Sequence, residues 1–303
     1  MEKKIIVRTA AGLGNQMFMY AHAYALAKKI NYKLLIDNTS AYFQKKNRSH
    51  NRSFKLDYFN ISSPIADQKY KYDNYLRHIL RKLLILIDRF KKEKSFKIEH
   101  KNKNKITYYK KDNFHYSDKI YVEGYYESEK YFVQFKDILS KQFTIKNNLI
   151  ESSNKYIDML KSSNSVSIHV RRNRFIEPDH FAFRGIQTTK RINLNDVFSY
   201  IKNAILFFEK RIKNPQFFIW SNNFSDLDKI FDRKKFIFVE NNSTVNDFYL
   251  FNFAKHFIVG PSSFHWWGAW LNTNKEKICV RPPDTLNPST NLNFWPENWK
   301  KIS

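Results

Sequence analysis

Three things are scarce in this chain. It has one cysteine, Cys279, among 303 residues, so no disulfide can form within it, which fits a cytoplasmic setting. No Cys/His spacing resembles a zinc site either. No uninterrupted apolar run is long enough to span a bilayer, and the apolar part of the opening stretch MEKKIIVRTAAG is too short for the core of a secretory signal. Carboxylates are the third shortage: 28 Asp and Glu against 53 Lys and Arg give a formal net charge of +25. That imbalance favours anionic partners: nucleic acid, an anionic membrane face, or phosphorylated small molecules. Lys and Asn are abundant throughout, so composition alone accounts for part of the charge, and the total does not choose among these partners.

What is present is enough apolar surface to fold. Hydrophobic residues make up 42% and aromatic ones 17%, and the length suits two domains better than one. Residues 4–9 read as a strand running into AGLGNQMF, with a helical pattern over 19–30 and a second strand at 33–37, a parallel βαβ start. Glycine lets backbone approach a ligand, and a helix N-terminus offers free N–H groups. The turn lacks the third glycine and the spacing of a dinucleotide fingerprint. The amides of Asn15 and Gln16 can either bond sugar hydroxyls or hold the turn itself.

Residues 75–94 form the clearest amphipathic pattern. Leu76, Ile79, Leu80, Leu83, Leu84, Ile87 and Phe90 recur at helical spacing, with Arg77, Arg81, Lys82, Arg89, Lys91 and Lys92 between them. Two readings stand: a helix lying on an anionic membrane, or one docked on the first domain with its basic face solvated. Under the first, neutralising Arg77, Arg81, Lys82 and Arg89 weakens binding to anionic vesicles. Residues 97–111 read as loop, and a helix is expected from Ser128.

The sequence around residues 146–165 is polar, and the domain boundary is placed there: 1–160 and 161–303. The second half opens with SVSIHVRR, whose Val166, Ile168 and Val170 alternate with Ser167, His169 and Arg171 as in a half-buried strand. Arg171 and Arg172 at its end make a cationic fork suited to a phosphate or carboxylate, or a plain surface pair. Helices at 195–213, 227–231, 244–255 and 264–271 then alternate with strands at 216–220, 236–240, 256–259 and 277–280, a doubly wound sheet. The turn Gly260-Pro261-Ser262-Ser263 leads into the last of these helices; a serine there can cap it or offer a hydroxyl to a phosphate. A cationic fork and an anion-ready helix start in one sheet point to a diphosphate, and so to a nucleoside diphosphate-linked substrate.

These residues also carry a resemblance. AGLGNQMFMYA at 11–21, VEGYYESEKYF at 122–132, His-x-Arg-Arg at 169–172, and 247–272 with KHFIVGPSSFHWWGAWLN are similar to the bacterial α-1,2-fucosyltransferases, family 11 of the glycosyltransferases. The resemblance implies an α/β fold of GT-B type: two Rossmann-like domains facing a cleft, the first on the acceptor side and the second binding the donor. It implies GDP-fucose as donor, transfer with inversion to a glycan hydroxyl such as the 2-OH of galactose, and no metal or other cofactor. Arg171 and Arg172 would then neutralise the leaving GDP. Asp247, Ser262 and Ser263 would lie in the donor pocket, with Gly12, Gly14, Asn15 and Gln16 lining the cleft opposite. A polysaccharide acceptor, lipid-linked at the inner membrane face, would suit the basic charge.

The sequence departs from the family pattern in places. The family follows His-x-Arg-Arg with Gly-Asp-Tyr; here Asn173-Arg174-Phe175 stands instead, so an arginine replaces the acid, and Glu177, Asp179 or His180 are the nearby substitutes. Gly260-Pro261 replaces Ala-Asn, and Asn222-Asn223 replaces paired acids. These changes leave room for a different sugar nucleotide, or for a basic binding protein of nucleic acid or membrane that keeps the fold without catalysis. No recognised nucleic-acid motif supports the nucleic-acid version. The general base is not identified: His169 is a candidate by position, or a local hydrogen-bonding residue. Trp266, Trp267 and Trp270 are expected in the core.

Overall fold

In the computed structural model the described residues are 2–43, 52–113, 115–151, 155–171 and 192–303. Arg172, Asn173, Arg174, Phe175, Glu177, Asp179 and His180 lie outside them. The chain divides into two compact units, residues 1–144 with 291–294, and residues 145–290 with 295–303. The division comes after Thr144 and not after residue 160, because the helix Tyr156–Ser162 belongs to the second unit. Its Tyr156 hydroxyl donates to the Phe238 carbonyl at 2.9 Å, and its Leu160 carbonyl accepts from the Ser165 hydroxyl at 2.8 Å.

The first unit contains β1 (Lys4–Arg8), α1 (Leu13–Ile30), β2 (Lys33–Asp37), α2 (Tyr75–Asp88), β3 (Lys94–Ile98), β4 (Tyr116–Glu123) and α3 (Lys136–Gln142). Its four strands are parallel in the order β2-β1-β4-β3. The expected βαβ start is there, but α1 begins at Leu13, before Met19, so Gly14, Asn15 and Gln16 sit in its first turn. The strand β3 takes up part of the expected loop. Single 3-10 turns at Glu129–Tyr131 and Val133–Phe135 precede α3 where a helix from Ser128 was expected.

The helix α2 ends at Asp88, and Lys94 opens β3. It is also turned over relative to the docking expected of an amphipathic surface helix. Arg81 and Asp88 are its buried residues. The Arg81 guanidinium pairs with Glu123 at the end of β4, and the Asp88 carboxylate accepts the N–H groups of Ser95 at 2.8 Å and Phe96 at 3.1 Å. The apolar residues Leu76, Ile79, Leu80, Leu83, Ile87 and Phe90 are exposed. Ion pairs and hydrogen bonds to the protein fix which side faces in; the spacing of the apolar residues does not.

The second unit contains α4 (Tyr156–Ser162), β5 (Asn164–Val170), α5 (Leu194–Glu209), β6 (Pro215–Ser221), β7 (Phe236–Phe238), α6 (Thr244–Leu250), β8 (His256–Ile258), α7 (Ser263–Leu271), β9 (Cys279–Arg281) and β10 (Lys300–Lys301). Its sheet is parallel in the order β10-β9-β8-β5-β6-β7. Residues 227–231 are turns, not the expected helix. The edge strand β10 was not expected, since two lysines carry no strand signal. β5 is buried on both faces, not one, as parallel strands between helical layers generally are. Val166, Ile168 and Val170 join Val197, Ile201, Ala204 and Phe208 of α5 in one core. On the other face the Ser167 hydroxyl lies 2.8 Å from Nε2 of His265 in α7, and the Ser165 hydroxyl accepts the Lys255 N–H at 3.0 Å. Of the polar half of the alternation, Ser165 and Ser167 are small, buried and hydrogen-bonded.

Candidate functional site

The strand order of the second unit reverses at β5, which has β6 on one side and the later strand β8 on the other. In open parallel sheets the crevice beyond the carboxyl ends at such a reversal is where ligands bind. Ile168 registers with Ile258, so Arg171 after β5 and Gly260 after β8 end side by side. A Cβ at Gly260 would lie 2.3 Å from the His169 carbonyl oxygen; the absence of a side chain lets the two strand ends close. Ser221, at the end of β6, ties in the third strand, its hydroxyl 2.7 Å from the Val170 carbonyl. Nothing in the residues around Ser221 signals that contact.

α7 starts at Ser263 with Ser262 at its N-cap, yet the Ser262 side chain makes no capping bond. Its hydroxyl is fully buried and without a partner. The purely capping reading therefore does not describe this serine. The helix start instead presents the positive end of the helix dipole and a serine hydroxyl. Ser263 beside it is buried. α6 packs against α7 through Phe248 and Phe264, whose ring centroids are 5.3 Å apart. In the first turn of α6, Asp247 has a buried Oδ1 without a partner. Burial pushes its pKa up to about 7, where a carboxyl responds to any donor brought near it.

His169 does not have the character of a base. It is buried, its ring 5.5 Å from that of His265. Burial first, and then the Arg171 charge, hold its pKa down to about 3. A general base works best with a pKa near the working pH, and this depression disfavours His169 in that role. Trp266, Trp267 and Trp270 are buried, with Trp266 and Trp270 stacked at 5.9 Å, as expected of core residues.

The other predicted residues lie in the first unit. Gly12 is the N-cap of α1 in extended conformation, and the left-handed residue of the turn is Ala11, at φ 63°. Space around Gly12 is open: a Cβ there would meet nothing within 4 Å. Gly14 is buried and Asn15 half-buried. Gln16 is fully buried and holds the turn. Its Nε2 donates to the carbonyls of Ala11 at 3.0 Å and Ser53 at 2.9 Å, and its Oε1 accepts the Lys55 N–H at 2.9 Å. At the same carboxyl edge, Arg8 from β1 comes within 3.7 Å of Glu123 from β4. Glu99, just past β3, accepts the N–H groups of Tyr125 at 2.7 Å and Tyr126 at 3.0 Å; burial pushes its pKa up to about 7. Sequence reasoning missed Glu99 because it missed β3. Among the described residues, no group of three or more His, Cys, Asp or Glu side chains is arranged to hold a metal ion.

Residues 3–301 match the profile of glycosyl transferase family 11. The chain belongs to that family. An α-1,2-colitosyltransferase of Escherichia coli is 29% identical over 98% of this chain and 98% of its own. The O-antigen biosynthesis glycosyltransferase WbnK of Escherichia coli is 29% identical over 90% of this chain and 92% of its own. Among solved structures, the α-1,6-fucosyltransferase NodZ soaked with GDP-fucose matches with a TM-score of 0.50 at 15% identity, covering 90% of this chain and 93% of its own. A mutant of Arabidopsis thaliana FUT1 in complex with GDP matches with a TM-score of 0.50 at 13% identity, covering 95% and 72%. At such identities the structural likeness speaks to the fold, which is α/β of GT-B type, with a parallel sheet in each unit. This family 11 member is a fucosyltransferase-like glycosyltransferase.

Proposed function

We propose that this family 11 enzyme transfers L-fucose, with inversion, from GDP-fucose to a hydroxyl of a glycan acceptor, in the first instance the 2-OH of a galactose. The observation that carries the donor class is the meeting of Arg171 with the N-terminus of α7, and its buried unpartnered Ser262 hydroxyl, at the strand-order reversal. The second unit takes the donor and the first the acceptor, with Gly12 and Asn15 on the first unit's open turn. The acceptor hydroxyl attacks the sugar's anomeric carbon, its proton passes to a base, and the bond to the diphosphate breaks. Negative charge gathers on the leaving GDP. In this reading Arg171, with Arg172, and the α7 N-terminus offset charge that grows in the transition state, where such groups act most strongly. No metal or other cofactor is needed in this reading. The Asp247 carboxyl, raised towards neutrality, accepts a hydrogen bond from the nucleotide sugar.

A second donor is favoured by one finding. The α-1,2-colitosyltransferase relative matches across nearly the whole chain, and colitose is fucose without its 3-hydroxyl. The loss of the acid at Arg174 is a change in the stretch next to the fork, where a sugar-hydroxyl partner could have been lost. Calorimetric titration with GDP, GDP-fucose, GDP-colitose, GDP-mannose and UDP-galactose, on wild type and Arg171→Ala, tests both. Binding of GDP and GDP-fucose that is lost in Arg171→Ala supports the proposal. Preference for GDP-colitose moves the enzyme to the second donor. Binding of UDP-galactose, or of no nucleotide, overturns the donor class. In turnover, Arg171→Ala is expected to lower kcat by about 10²–10³.

A further inference from the structure

We propose that the outward face of α2 is a docking surface for an anionic lipid bilayer. Tyr75, Leu76, Ile79, Leu80, Leu83, Leu86, Ile87 and Phe90 are all exposed, Leu76 by 78% and Phe90 by 91%. On a helix of 3.6 residues per turn they share one continuous arc. Isolated exposed apolar residues are ordinary, but a contiguous strip this long marks an interaction surface.

The orientation is built in. Arg81 is buried against Glu123. The Arg77 guanidinium donates to the Gln68 carbonyl at 2.7 Å. The Asp88 carboxylate holds the start of β3. Asn74 caps the helix start, accepting the Arg77 N–H at 2.9 Å, and the Lys94 ammonium closes its end on the carbonyls of Asp88, Arg89 and Lys91. Rolling the apolar strip inward would break the Arg81, Arg77 and Asp88 contacts.

Charge selects the occupant. Lys82 and Arg89 lie along one border of the strip, and Lys91 and Lys92 follow its end, all four exposed; of the carboxylates from 75 to 94, Asp88 is buried and Glu93 alone is exposed. A basic rim around an apolar strip is the pattern of a helix that lies in the headgroup layer of an anionic membrane. A second copy of this chain would bring like-charged rims together on molecules of net charge +25. This inference does not depend on the donor assignment.

The test is flotation of the full chain, without nucleotide, with vesicles of 30% phosphatidylglycerol in phosphatidylcholine and with pure phosphatidylcholine. Two variants separate the components: Leu76→Ser/Leu83→Ser/Phe90→Ser, and Lys82→Gln/Arg89→Gln/Lys91→Gln/Lys92→Gln. Arg77 and Arg81 are left alone because they hold the helix in place. All substituted positions are exposed, and circular dichroism checks the fold. Binding to the anionic vesicles that falls at least tenfold in each variant, with little binding to pure phosphatidylcholine, is the expected result. The proposal is overturned if wild type does not float, if the apolar variant floats as wild type does, or if the apolar variant instead converts a dimer to a monomer by sedimentation.

Discussion

At the scale of single residues, the sharpest features are polar atoms with nothing to bond. Asp247 is a carboxyl whose pKa burial lifts from 3.8 to about 7. A folded-state pKa above the unfolded one means that folding takes up a proton between those values. The stabilising, protonated form is present at low pH, and stability is lost as pH rises from about 4 to about 7. Asp247→Asn is therefore expected to be more stable than wild type at pH 8, with the gap closing towards pH 4, as read by urea unfolding of the nucleotide-free protein. Equal stability at pH 8 would mean that the carboxyl is solvated. Glu99 is raised to about the same value and keeps its own share of the slope in the variant. Gln16 shows the opposite situation, a polar group fully employed. Its type and place in the turn were legible, but its partners at Ser53 and Lys55 come from a segment that neighbours it only after folding. Nothing local chooses between a turn-holding amide and a sugar-binding one.

At the scale of elements, α2 turns on one ion pair. Breaking a buried pair typically costs about 3–5 kcal/mol, since a charge is left without its partner. Arg8 stays near Glu123 at 3.7 Å, which places Arg81→Met at the low end, about 3 kcal/mol. Leu83→Ser, in an exposed position, is expected within about 0.5 kcal/mol of wild type. Urea denaturation of both variants checks this; the reverse ranking would mean that the helix packs by its apolar side. The same helix marks how far the sequence could be read. Periodicity grouped Leu76, Ile79, Leu80, Leu83, Leu84, Ile87 and Phe90 on one face, and all of these but the half-buried Leu84 are exposed together. It could not say which way the face looks, because the deciding partner, Glu123, sits on a later strand. The strands of the second sheet other than β10 were legible, since each is a short apolar run between turn residues. β3, written KSFKI, was not, because its lysines read as loop; Lys97 lies in a partly buried pair with Asp112, and only the fold makes that clear.

At the scale of the whole molecule, the division of the chain is not a simple cut. Residues 291–294 belong to the first unit although the chain on both sides belongs to the second. Phe294 is fully buried, with its ring 6.0 Å from that of Phe18. The Leu292 N–H donates to the Thr107 carbonyl at 3.0 Å, and the Asn293 side chain accepts the Tyr109 N–H at 2.9 Å. A chain ended at Thr290 is expected to leave the first unit with an open apolar site and to lose stability, because the cost of emptying a buried Phe position is about 3–5 kcal/mol. Binding of a hydrophobic dye and lowered protection of α1 in hydrogen exchange would report it. Unchanged protection of α1 would show that the strip is dispensable.

That strip also sets a timetable. Domains made in series generally fold in the order in which they leave the ribosome. Here the first unit cannot finish until residue 294 has been synthesised, by which time nearly all of the second unit has been made. The half made first waits for the half made last, and a growing chain carries an incomplete N-terminal core through most of its own translation.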